Sequence, residues 1–263
     1  MGRLVLSEGH EVGRKRCCLI YETQGTIPRS KVRDNRSGLH VTLPVRDLPY
    51  TLPKGIIFDI GRVIVRLNLN RASESFASAV STPNGVVATQ ELSAGQMWTE
   101  IQGDPRWIEW QEGRMTSQEW YEHITGKLRV ALSYEEFCAA WNSVLDPEIM
   151  LPDDLFAQLA VRCRLGLLSN TDAIHVAYLE HHFPFLRHFP VRIYSNEVGA
   201  SKPARAIYQA ALAELDVTPA EALYIDDIAE YAETARQMGL DAIHFENPEQ
   251  LLHELSQRGL IPG

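Results

Sequence analysis

The chain has little sulfur chemistry to offer. Its four cysteines, Cys17, Cys18, Cys138 and Cys163, show no metal-ligand spacing, and an adjacent pair makes a poor disulfide. They read as reduced thiols, which points to a cytoplasmic protein. Long apolar runs are absent as well: no stretch approaches the ~20 residues that a membrane-spanning helix needs. Residues 1–8 hold too short an apolar run for a secretory leader, and Leu6 stands where myristoylation would need Ser or Thr. Positive charge is scarce beyond residue 53, where 16 Lys and Arg face 29 Asp and Glu. A body that acidic does not hold nucleic acid by general electrostatics. It also repels a phosphorylated metabolite unless a cation sits in the site. The expected partner is a small ligand, with neither nucleic acid nor membrane involved.

Residues 1–53 lack helical or strand periodicity and carry an excess of four positive charges with scattered Gly, Ser and Pro. They are expected to form a poorly ordered basic extension. A basic arm for a partner is the functional alternative, and a later start would need a non-Met codon, since the next methionine is Met97.

What is present begins at Gly55-Ile56-Ile57-Phe58-Asp59, a short apolar run that leads straight into a carboxylate. Such a run is the pattern of a strand buried on both faces, here over 55–60. A charge at its end caps the following turn, or else it needs water, a metal or a chemical task, because an unpaired buried charge is costly. The pattern then turns helical to about residue 160. Capping boxes Thr116/Glu119 and Ser133/Glu136 open two helices, and all five tryptophans fall in this stretch. Core packing is the expected use of the tryptophans, with a ligand pocket as the alternative. Gln96, Trp98, Trp107, Arg114 and Trp141 read equally as core or as ligand contacts.

From about residue 160 strands and helices alternate, which implies a doubly wound parallel sheet with helices on both faces. Residues 164–168 lead into Ser169-Asn170, residues 191–195 make a third strand, and 222–225 end in Asp226-Asp227. Lys202-Pro203 precedes a helix, with Pro203 suited to its first turn. In such sheets the carboxyl ends of neighbouring strands meet at the topological switch point. Asp59, Ser169, Asn170, Asp226 and Asp227 can therefore converge. Paired carboxylates with a third from a neighbouring strand suit Mg²⁺. A hydroxyl and Lys202 supply donors for phosphoryl oxygens, and an Asp can act as nucleophile in phosphoryl transfer.

Phe58-Asp59-Ile60-Gly61-Arg62-Val63, Leu168-Ser169-Asn170, Ser201-Lys202-Pro203 and Tyr224-Ile225-Asp226-Asp227 resemble the four motifs of the haloacid dehalogenase-like hydrolase superfamily. Residues 112–117, 132–137 and 141–142 are similar to the four-helix cap of its bacterial sugar-phosphate phosphatases, the glucose-1-phosphate phosphatases among them. The resemblance implies a Rossmann-like core over 54–67 and 160–263, with an inserted helical cap over 68–159. It implies a Mg²⁺-dependent phosphatase for a small phosphorylated metabolite, working through an aspartyl-phosphate on Asp59. Lys202 would be catalytic, Ser169 and Asn170 would hold phosphate, and Asp59, the Gly61 carbonyl, Asp226 and Asp227 would bind the metal. Glu230 would orient metal-bound water.

Two departures stand out. Gly61 occupies the place where the common motif has a second Asp, the general acid and base. Arg62 and Arg66 stand where neutral or acidic residues are more usual; salt bridges of one or both to the acidic body are their expected use, with substrate contact as the alternative for Arg62. Gly61 keeps open a catalytically weak or inactive binding protein on the same scaffold. A metal-independent 2-haloacid dehalogenase is disfavoured by the Asp226-Asp227 pair. His175, His181 and His182 read as surface or helix residues.

Overall fold

The computed structural model describes residues 30–33, 40–43, 52–78 and 94–262. The chain divides into two compact units, residues 1–49 and 50–263. In the first, β1 (Ser30–Arg33) pairs antiparallel with β2 (His40–Leu43), a local pairing that no periodicity in the sequence announced. The expectation of poor order for the other residues up to 51 lies outside the described residues.

The second unit begins with β3 (Gly55–Phe58) and β4 (Val65–Leu67). Helices α1 (Leu69–Ser78), α2 (Ala94–Gln102), α3 (Arg106–Gln111), α4 (Ser117–Leu128) and α5 (Tyr134–Asn142) follow. The chain then runs through β5 (Leu145–Ile149), α6 (Asp153–Ala160), β6 (Arg164–Ser169), α7 (Ala173–His182), β7 (Val191–Tyr194) and α8 (Ser195–Val198). It closes with α9 (Arg205–Leu215), β8 (Ala222–Asp226), α10 (Ala229–Gln237), β9 (Asp241–His244) and α11 (Pro248–Gln257).

Five strands form one parallel sheet in the order β7-β6-β3-β8-β9. Every residue of β3 and β8 is buried, as a strand covered on both faces requires. Side chains alternate between two cores. Ile56 and Phe58 join Phe156, Phe185 and Phe189 on one face, while Ile57 joins Tyr208, Leu215 and Tyr224 on the other. The ring of Phe156 on α6 meets Phe58 edge-on at 5.7 Å and Phe189 at 5.1 Å, so α6 packs in the layer against the sheet.

Three local readings are corrected. The first strand stops at Phe58, two residues short of the expected end. The helical reading of the insertion missed β4 and β5, which pair antiparallel with Val65 opposite Ile149 and Leu67 opposite Leu145. The two strands are short, β5 carries Pro147 and two acids, and their partners lie some 80 residues apart, so no local pattern reveals them. Pro203 does not open a helix either. The Lys202–Pro203 bond is cis, Ala204 N–H closes a turn onto Ser201 O at 2.9 Å, and α9 starts at Arg205.

Both capping boxes form. Thr116 Oγ1 accepts from Glu119 N–H at 3.2 Å and Ser133 Oγ from Glu136 N–H at 3.3 Å, with each Glu reaching back to its cap. Four of the tryptophans are buried in the core, and Trp107 packs half-buried against it. Trp110 and Trp120 stack at 4.9 Å, and Trp141 lies 5.4 Å from Trp98 and 5.2 Å from Trp110. Among the described residues no helix is long and apolar enough to cross a membrane.

Candidate active site

The sheet register brings the functional residues together. Phe58 pairs with Leu167 on one side and Ile225 on the other. Asp59 therefore follows the central strand just where β6 reaches Leu168-Ser169 and β8 reaches Asp226. Its own N–H continues the ladder to Ile225 O at 2.9 Å. Beyond it the chain makes a tight turn: Ile64 and Val65 N–H both donate to Ile60 O at 2.9 Å. Arg62 sits in the left-handed region at φ 58°, a conformation that costs a non-glycine residue on the order of 1 kcal/mol.

Lys202 is the centre of the constellation. Its Nζ lies 2.8 Å from Asp59 Oδ1, 2.8 Å from Asp226 Oδ2 and 3.2 Å from Leu168 O. An ammonium has three protons, and here three acceptors take them. Lys202 is nevertheless almost wholly buried, as are Asp226 and Asp59. The backbone of Lys202 is fixed too. Asn170 Nδ2 donates to Lys202 O at 3.0 Å, and Lys202 N–H donates to Asn170 Oδ1 at 2.7 Å.

Asp226 is held from every side. Its Oδ2 accepts from Lys202 and from the Tyr224 hydroxyl, and its Oδ1 accepts from Ile228 N–H at 2.8 Å. Asp227 is less enclosed and faces Arg62, whose Nη1 stands 3.5 Å away. Asp59, Asp226 and Asp227 each present a carboxylate oxygen, all within 4.8 Å of one another.

Such crowding shows in the titration behaviour. Burial pushes Asp59 up to about 7, against the pull of Lys202 and with the push of Asp226. Burial works against the Lys202 ammonium, but the two carboxylates outweigh it and hold its pKa above the ordinary value. Asp227 is raised by burial and by the Asp226 charge, which together exceed the effect of Arg62. Three carboxylates around one ammonium leave the pocket short of positive charge. Hard oxygen donors at this spacing fit a divalent cation such as Mg²⁺.

All of Asp59, Gly61, Ser169, Asn170, Lys202, Asp226 and Asp227 thus come to one end of the sheet. Glu230 is exposed on the first turn of α10 and lies outside the group of converging carboxylates. Three partners went unread in the sequence. Tyr224 lies two residues before Asp226, hence on the same face of β8, a period-2 signal that was available. Ser195 is fully buried; its Oγ accepts from Thr171 N–H at 2.9 Å and lies 2.7 Å from Gln111 O. His175 lies on a helix, as one of its two expected placements had it, but is largely enclosed there: its Nδ1 is 3.0 Å from the buried Asp172.

The loop between α3 and α4 closes onto the sheet end. Gly113, at φ 67°, passes so near that an added Cβ would stand 2.1 Å from Asn196 O. Beside it Glu112 Oε1 accepts from Ser201 N–H at 3.1 Å.

Residues 53–239 match the family model of the haloacid dehalogenase-like hydrolases. The chain belongs to this hydrolase family. It is 23% identical over 209 residues to the D-ribitol-5-phosphate phosphatase of Bacteroides thetaiotaomicron, which covers 77% of this chain and 97% of that protein. Among solved structures, a family enzyme of the same bacterium, in complex with magnesium and inorganic phosphate, superposes with a TM-score of 0.64. That match has 24% identity and covers 77% of this chain and 98% of the other. A predicted HAD-like family hydrolase of Porphyromonas gingivalis gives a TM-score of 0.62 at 22% identity, covering 79% of this chain and 98% of the other. These likenesses establish the fold: a Rossmann-like core that carries inserted helices.

Proposed function

We propose that this hydrolase is a Mg²⁺-dependent phosphatase for a small phosphorylated metabolite of the sugar-phosphate kind, with Asp59 as nucleophile. The observation that carries the reading is the bridge from Lys202 Nζ to Asp59 Oδ1 and Asp226 Oδ2, beside three carboxylates that converge within 4.8 Å. The similarity to a D-ribitol-5-phosphate phosphatase supports the substrate class.

In the first step an Asp59 carboxylate oxygen attacks phosphorus. The bond from phosphorus to the leaving oxygen breaks, and that oxygen keeps the electron pair and takes a proton from water. In the second step water attacks the phosphorus of the aspartyl-phosphate and loses its proton to solvent. The bond from Asp59 to phosphorus breaks, which restores the carboxylate and frees inorganic phosphate. Lys202 keeps its charge throughout and lies where it neutralises both Asp59 and an incoming phosphoryl oxygen. The buried Ser169 hydroxyl would donate a hydrogen bond to that oxygen. The Asn170 side chain is engaged with the Lys202 backbone, so its own part in binding phosphate falls to its backbone N–H. Asp59, the Gly61 carbonyl, Asp226 and Asp227 would hold Mg²⁺. When bound, the ion supplies the positive charge that offsets the substrate's negative charge and that of the carboxylates.

The inserted helices, proposed as a cap, reach the site through Glu112 and Gly113. Gly61 favours a second reading, a binding protein on this scaffold, because it leaves the leaving group without the usual proton donor. Phosphate release from p-nitrophenyl phosphate separates the two. Release that requires Mg²⁺, stops with EDTA and is lost in Asp59→Asn supports the phosphatase. A protein that binds inorganic phosphate and never turns over supports the scaffold.

A further inference from the structure

The turn that follows β6 is tied down at three successive residues. Asn170 clasps the Lys202 backbone, Thr171 N–H donates to Ser195 Oγ, and Asp172 caps α7 by accepting from Ile174 N–H at 3.0 Å and His175 N–H at 2.9 Å. The other oxygen of Asp172 reaches out of this layer. Trp141 of α5 donates its indole N–H to Asp172 Oδ2 at 3.1 Å. His175 lies beside both groups. Its Nδ1 is 3.0 Å from Asp172 Oδ2, its Nε2 is 3.2 Å from the Trp141 carbonyl, and its ring stacks on the Trp141 indole at 5.7 Å and 24°.

The chemistry of these partners fixes the state of the imidazole. A backbone carbonyl only accepts, and so does an ionised carboxylate. A neutral imidazole has one N–H and satisfies one of them; only the imidazolium satisfies both.

We infer that His175 is a positioning residue for the proposed reaction, an imidazolium that donates from both ring nitrogens and so ties α5 of the inserted helices to the turn that carries Asn170 and directly follows Ser169. Burial works against this charge, yet the Asp172 carboxylate and the Trp141 carbonyl outweigh it and raise the His175 pKa. Asp172, although buried, is held below the ordinary carboxylate value, first of all by the charge of His175. The other titratable groups beside this pair are Cys138 and Tyr134 of α5. Burial raises both above their ordinary values, so both are neutral near neutral pH.

Loss of the His175 proton removes one of two bonds between α5 and the turn. Asp59, Lys202 and Asp226 do not contact His175, so substrate binding under the inserted helices weakens while the chemical step is largely kept. The kinetic consequence rests on the phosphatase reading; the protonation state does not.

The test uses the full chain and has two arms. Nitrogen NMR of the His175 ring should show both nitrogens protonated near neutral pH, with deprotonation above the ordinary value of about 6.5. In steady-state kinetics on p-nitrophenyl phosphate with Mg²⁺, KM of the parent should rise about tenfold as pH passes that transition, the worth of roughly one charge-assisted hydrogen bond. His175→Gln and His175→Phe should show the raised KM at every pH, with kcat within about threefold of the parent. A neutral ring near neutral pH overturns the inference, and so does a KM–pH profile shared by parent and variants. A parent without turnover sinks the phosphatase reading instead, and the ring titration alone then decides the tie.

Discussion

Lys202 Nζ stands 2.8 Å from Asp59 Oδ1 and at the same distance from Asp226 Oδ2, so one buried cation joins the ends of two adjacent strands. Removing it leaves two largely buried carboxylates that repel each other with no cation between them. Lys202→Ala is expected to lower kcat by about 10²–10³-fold, as loss of a preorganised donor does. It should also destabilise the fold by about 3–5 kcal/mol. Steady-state kinetics and urea denaturation measure the two. Lys202→Arg should not restore activity, since a planar guanidinium cannot meet three acceptors placed for an ammonium.

The two neighbouring acids should separate in their effects. Asp226 is fixed by Lys202, Tyr224 and Ile228, whereas among the described residues Asp227 forms its ion pair with Arg62. Asp227→Asn is expected to raise the Mg²⁺ concentration needed for activity while leaving the melting temperature nearly unchanged. Asp226→Asn should lower both activity and stability, because it disturbs the Lys202 bridge. Arg62 competes with a cation for Asp227, so Arg62→Ala should lower the Mg²⁺ requirement by a few-fold, about the worth of an exposed ion pair. Magnesium titrations of initial rate, alongside thermal melts, distinguish these outcomes.

The raised pKa of Asp59 makes stability depend on pH in a definite direction. A carboxyl whose folded pKa, about 7, exceeds the unfolded value of 3.8 favours the folded state when protonated. That contribution is complete below the unfolded value and is lost as pH rises through the folded one. The metal-free protein should therefore melt at a lower temperature at about pH 8 than at about pH 5 as far as this group decides it. Mg²⁺ binds the ionised form, so its stabilising shift should be larger at the higher pH. An equal Mg²⁺ shift at both values would count against Asp59 as a ligand.

Gly61 sets the demand on the leaving group. Without an acid beside Asp59, rates on a series of aryl phosphates should fall steeply as the leaving phenol becomes less acidic. A Cβ at Gly61 would meet Leu67 Cδ1 at 3.4 Å, an ordinary contact. Gly61→Asp is expected to fold and to flatten the dependence, raising kcat for the least acidic leaving groups by about 10²-fold. A flat dependence in the parent would reveal another proton donor.

The residues at strand ends were legible because the physics there is local. A run such as Ile56-Ile57-Phe58 has one comfortable place in a soluble protein, and a carboxylate at its end is conspicuous. Parallel order then brings Asp59, Ser169 and Asp226 together without further information. What escaped was non-local or masked by a bland composition. The β4–β5 pairing depends on a partner about 80 residues away, and the enclosure of His175, read as a surface or helix residue and found on helix α7, depends on contact between α5 and α7. The Asp172–His175 spacing of three on a helix start was a readable sign; its Trp141 partner was not.

Asp59 as nucleophile is the claim on which the rest depends. Its direct test is a rapid acid quench of the parent with radiolabelled phosphomonoester and Mg²⁺, followed by peptide mapping. The label should appear on the peptide containing Asp59, be released by hydroxylamine as an acyl phosphate is, and be absent from Asp59→Asn. Label on any other residue, or undiminished turnover in Asp59→Asn, would contradict the assignment.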